Sequence, residues 1–69
     1  MWRVFAFYPN LGLKIRGTEY KSRVEAMDYV SGLIECRTPY FVLNGEKMSE
    51  YKSFDMKPEE MAEMVEEYL

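Results

Sequence analysis

Residues 2 to 8 form a run of β-formers, Trp-Arg-Val-Phe-Ala-Phe-Tyr. It ends in Tyr8-Pro9-Asn10-Leu11-Gly12, where Pro suits the second position of a turn and Gly tolerates positive φ. Residues 11 to 16 read as the returning strand, so the chain opens with a β-hairpin closed by a loop of three to five residues. The pattern then changes period. Ser22-Arg23-Val24-Glu25 fits a capping box, and Val24, Met27, Val30, Leu33 and Ile34 recur at three and four residues, which predicts a helix over 23–35.

Thr38-Pro39 bars continuation of that helix. Tyr40-Phe41-Val42-Leu43 is a short β-rich run ending in Asn44-Gly45, the pair best suited to a type I′ turn, and a return strand from Lys47 to about Phe54 mixes charge into both faces as an edge strand does. Pro58 fits the first turn of a closing helix whose apolar stripe is Met61, Met64, Val65 and Tyr68. The expected order is therefore ββαββα: one α+β domain over residues 1–69, a four-stranded antiparallel sheet with two helices packed on it.

Size and composition narrow the function. With 69 residues the chain is near the lower limit for a self-sufficient core, and its single cysteine, Cys36, rules out an internal disulfide. One Trp, six Tyr and four Phe supply the apolar area instead, and 48% hydrophobic residues place the chain in the globular class. The expected compartment is a reducing cytoplasm. The apolar start is too short to span a bilayer and runs into Pro9-Asn10 rather than a cleavage pattern, so neither a signal peptide nor a membrane anchor is expected.

No catalytic, metal or cofactor constellation emerges. The chain has no His, and Cys36 follows a helix C-terminus, where a thiolate is disfavoured; it reads as a small buried hydrophobe. A calcium loop starting at Asp55 fails because Lys57 stands where an oxygen ligand is needed, and the four glycines lie too far apart for a phosphate loop. Carboxylate pairs such as Glu59 and Glu63 on an exposed helix lack the burial that separates two pKa values. The chain is expected not to be an enzyme and to bind no cofactor.

Charge is the most informative feature. The formal −3 divides into +4 over residues 1 to 23 and −7 over the rest. Residues 58–69 hold Glu59, Glu60, Glu63, Glu66 and Glu67 and no Lys or Arg. Glu59 and Glu60 favour the helix at its positive N-terminal end, whereas Glu66 and Glu67 sit at the negative end, where they oppose it. The first functional reading is thus a small interaction module or inhibitor that binds a basic, nucleic-acid-binding partner protein through this helix, with Glu46, Glu50 and Asp55 extending the face, as a local mimic of regularly spaced phosphates. Stand-alone domains of this size without chemistry are of the kind that viruses and mobile elements use to regulate host machinery.

The alternative lies at the other end. If Tyr8 pairs with Leu13, then Trp2, Val4, Ala6, Tyr8, Leu13 and Ile15 share the core face, while Arg3, Phe5, Phe7, Lys14 and Arg16 share an open one. Cations interleaved with rings on an open sheet suit single-stranded nucleic acid, with Lys21 and Arg23 extending the patch. A homodimer that joins the acidic helix of one copy to the basic hairpin of another satisfies both ends.

Overall fold

The computed structural model describes residues 1–12 and 14–68. Strands β1 (Trp2–Tyr8), β2 (Lys14–Tyr20), β3 (Tyr40–Asn44) and β4 (Lys47–Lys52) form one antiparallel sheet in the order β2-β1-β3-β4, with α1 (Arg23–Glu35) between β2 and β3 and α2 (Pro58–Tyr68) last. The ββαββα α+β architecture is the one the hydrophobic pattern predicts. No helix among the described residues is long and apolar enough to cross a membrane.

Each helix covers a different face of the sheet. Val4, Ala6, Tyr40 and Val42 pack against Ala26, Val30 and Leu33 of α1. On the reverse, Phe5, Phe7 and Leu43 pack against Met61 and Val65 of α2, with Met56 from the connecting loop. Val4 through Phe7 are therefore all buried, and β1 is a central strand sealed on both sides. A four-residue apolar run is what such a strand requires, since neither face meets water. Burying each Phe contributes about 2–3 kcal/mol.

This double burial corrects the expected register. Tyr8 pairs with Lys14, Phe7 with Ile15, Ala6 with Arg16 and Phe5 with Gly17, one residue away from a Tyr8–Leu13 register; Leu13 itself lies outside the described residues. Because side chains alternate every residue, a slip of one moves every β2 side chain to the opposite face. Lys14 and Arg16 accordingly share the α1 face with Trp2 and Tyr8, and Ile15 joins the α2 face.

α1 begins as expected, with the Ser22 Oγ accepting from the Glu25 N–H at 3.3 Å. Its buried stripe differs. Ala26, Val30 and Leu33 face the sheet, whereas Val24 is 79% exposed and Ile34 is exposed as well. Val24 sits about 200° around the helix from Ala26, so one packed stripe cannot include both. The end of α1 is a Schellman motif: Thr38 N–H donates to the Leu33 carbonyl at 2.8 Å and Arg37 N–H to the Ile34 carbonyl at 3.0 Å. Arg37 takes the left-handed position there, at φ 53°, where glycine is usual.

The second hairpin turns one residue later than Asn44-Gly45 suggests. Asn44 pairs with Lys47, which leaves Gly45 and Glu46 as the central residues, and of these only Gly45 has positive φ, at 65°. A positive φ at the first central position alone belongs to a type II′ turn and not to type I′. β4 is an edge strand, as its mixed charges predict.

Candidate functional site

α2 follows from its own spacing. Pro58 opens the helix without costing a hydrogen bond, and Met61 and Val65, four residues apart, seat it on Phe5 and Phe7. Met64 is half-buried beside them. Tyr68 extends the stripe: its ring meets Phe5 edge-on at a centroid distance of 5.1 Å, although half of its surface stays open. With that stripe turned inward, Glu59, Glu60, Glu63, Glu66 and Glu67 are all exposed. The helix rises about 1.5 Å per residue, so these five carboxylates span about 12 Å of axis, with a mean spacing of roughly 3 Å. That density falls between a single nucleic-acid strand, at about 3.4 Å per phosphate, and the duplex, at about 1.7 Å.

No ion pair among the described residues neutralises this face. Among the described residues the one ion pair joins Arg37 to Asp55 at 3.8 Å, and no glutamate of α2 takes part in it. The other expected members of the acidic face are dispersed. Glu50 pairs across from Val42 and therefore lies on the α1 face, Glu46 occupies the β3–β4 turn, and Asp55 is engaged with Arg37. Strand alternation sends Glu50 to the opposite side of the sheet from the helix, whereas Asp55 lines the same cleft as Glu60.

The predicted basic aromatic face is not assembled. Phe5 and Phe7 are 1% and 0% exposed beneath α2, so neither ring can stack on a base, while Lys14 and Arg16 lie on the opposite side of the sheet. Arg3 remains on the α2 face, with its guanidinium 5.8 Å from the centre of the Phe5 ring. Lys21 and Arg23 are exposed around the start of α1.

A cleft of about 480 Å³ opens at the end of the sheet, where the β1–β2 loop, the α1–β3 loop and the β4–α2 loop converge. Leu11, Pro39, Phe54 and Met56 give it an apolar lining, and Glu60 joins it to the acidic helix. Arg37 and Phe54 are the two non-glycine residues of positive φ among those described, and they face each other here: the guanidinium lies 5.0 Å from the Phe54 ring centre, with Lys52 Nζ at 5.4 Å. Left-handed backbone costs a side-chain-bearing residue about 1–2 kcal/mol, and such strain gathers at places where a side chain must be aimed. Sequence reasoning missed this cluster; the available signal was Arg37, two residues before Pro39, where the end of a helix calls for glycine.

Cys36 also lines the cleft and is exposed, which corrects its reading as a buried hydrophobe. The helix cap fixes the Cys36 backbone and leaves its side chain outside both cores. Two phenols depart from their ordinary acidity. Burial raises the pKa of Tyr29, with the Tyr8 hydroxyl adding to the effect and Arg16 opposing it, and burial raises that of Tyr40, with the nearby Glu50 carboxylate adding to it. Among the described residues no three His, Cys, Asp or Glu side chains converge as a metal would require.

Comparison with known protein families, curated proteins and solved structures found no match for this chain.

Proposed function

We propose that this protein is a non-enzymatic interaction module that works in the cytoplasm and uses the outer face of α2 to bind a partner protein through the partner's basic, nucleic-acid-binding surface. The observation that carries the reading is the exposed row of Glu59, Glu60, Glu63, Glu66 and Glu67, held on a packed helix with no cation of the described chain bridging to it. A rigid row of carboxylates at nucleic-acid-like density meets Lys and Arg without the ordering cost that a flexible acidic tail would carry. Glu66 and Glu67 are the most telling, because they work against the helix that holds them.

Charge complementarity of this kind acts mainly on association rate and specificity, so binding should weaken with added salt. The test is affinity capture from the native or host cell with the wild type beside a Glu59/Glu63/Glu66/Glu67→Gln variant, each eluted over a salt gradient. A specific protein lost by the variant and released early by salt supports the reading. Equal recovery of every partner by both proteins overturns it. An Arg3/Lys14/Arg16→Ala variant is the control for nucleic acid: steeply salt-dependent oligonucleotide binding that this variant loses would replace the acidic-helix reading with the nucleic-acid one.

A further inference from the structure

We infer that β4 is a self-association edge, pairing antiparallel with β4 of a second copy about a two-fold axis through Tyr51 and continuing the sheet to eight strands. β4 pairs with β3 on one side, and among the described residues no strand covers the other. The direction of its outward hydrogen-bonding groups follows from the ladder. Phe7 N–H donates to the Pro39 carbonyl, so Phe5 and Phe7 turn their backbone groups toward β3. Alternation then aims those of Phe41 at β1, those of Tyr40 and Val42 at β4, and those of Tyr51 away from the sheet.

Between its charged residues this edge carries two open apolar side chains. Met48 and Tyr51 lie on the α2 face and are 50% and 47% exposed, and the Tyr51 ring sits 6.1 Å from half-buried Phe41. α2 does not cover them, because its last turn stands over β1 and β2, where Tyr68 meets Phe5 and approaches Gly17. Natural edges are often protected by Lys and by bulges. Here the register irregularity lies at Val42/Leu43, toward Met48, and leaves the segment around Tyr51 regular.

Of the two β4 lysines, Lys52 is answered by the sequence itself. Glu50 and Lys52 flank Tyr51 symmetrically, so a two-fold pairing with Tyr51 opposite Tyr51 sets each Glu50 opposite the other copy's Lys52, on the α1 face of the sheet. Opposite charges directly across a ladder stabilise it, and like charges destabilise it. Shifting the pairing by two residues to centre on Ser49 breaks this, because each Lys47 then opposes Tyr51 on the wrong face of the irregularity. The two α2 helices would lie on one side of the joined sheet, with their β1 strands about 24 Å apart over five strand spacings, well past the screening length of about 8 Å, so their acidic faces do not oppose the pairing. A small core that gains a second is also the expected remedy for marginal size.

The experiment is sedimentation velocity on the full chain from micromolar to near-millimolar concentration, with circular dichroism to confirm that each variant folds. The wild type should shift from monomer to dimer, Lys52→Glu should weaken the dimer at least tenfold by setting Glu against Glu50, and Glu50→Lys combined with Lys52→Glu should restore it. In a Cys36→Ser background, Tyr51→Cys should be joined between chains by a short bifunctional thiol reagent, since hydrogen-bonded antiparallel partners stand about 5.5 Å apart at Cα. A monomer throughout the concentration range overturns the inference. So does a dimer indifferent to both charge variants, which would locate the contact elsewhere, on the β2 edge or between the acidic helix and the basic hairpin of a second copy.

Discussion

Tyr68 closes over Gly17: a Cβ added to that glycine would come within 2.8 Å of the Tyr68 hydroxyl oxygen and 3.1 Å of a Phe5 ring carbon. The last turn of the acidic helix is thereby fastened to β2 by a ring that lies where a side chain would otherwise stand. Glycine in a strand is ordinarily a weakness of about 0.5–1 kcal/mol. At this position it is the condition for docking α2.

Gly17→Ala should therefore destabilise the protein by about 1–2 kcal/mol, as overpacking does, even though alanine is the better strand residue. In a Tyr68→Ala background the same change should cost less, because the nearest obstacle is gone. Urea titration of the four proteins of this double-mutant cycle measures the coupling. Equal costs in the two backgrounds would mean that Tyr68 does not fasten the helix.

Arg37 occupies the left-handed position of the Schellman motif while its guanidinium reaches Phe54 and Asp55. Arg37→Ala keeps the backbone strain and loses those contacts, whereas Arg37→Gly loses the contacts and relieves the strain. The glycine variant should be the more stable of the two by about 1 kcal/mol. The ion pair accounts for little of this, since both partners are largely exposed. Melting temperatures of the two variants give the comparison.

The end of α2 trades helix stability for charge. Glu67 lies in the last turn and repels Glu63 four residues earlier, so Glu67→Lys should stabilise the fold by about 0.5–1 kcal/mol at low salt. The same variant should bind a basic partner less well. Denaturation at low and high salt checks the first expectation, because screening should shrink the gain.

The weakened acidities of Tyr29 and Tyr40 set a limit at high pH. Both pKa values lie above the unfolded phenol value of about 10, so the folded state holds those protons more tightly. Their contribution is fully present below pH of about 10 and is lost as pH rises through the folded values. Stability measured by denaturant between pH 9 and 12 should fall, and Tyr29→Phe together with Tyr40→Phe should flatten that slope.

Local chemistry by itself determined much of this molecule. Ser22 and Glu25 mark the start of α1, Pro58 marks the start of α2, and β-former runs bounded by turn signals, set against the three- and four-residue spacing of the helices, give the elements in their order. The five glutamates of α2 were also evident, because Met61 and Val65 leave them a single direction to point. Tertiary structure alone decided the faces of the sheet. Val4, Phe5, Ala6 and Phe7 are apolar without alternation, so β1 carries no mark of which side is core, and both sides are. Whether Lys14 and Arg16 stand beside Phe5 or across the sheet from it depends on one residue of register. That register is fixed by two helices covering opposite faces, and local sequence does not encode where a distant helix will dock. The choice of Ala26 over Val24 has the same cause: two stripes of similar spacing compete on α1, and the sheet selects the smaller side chain that lets the helix approach.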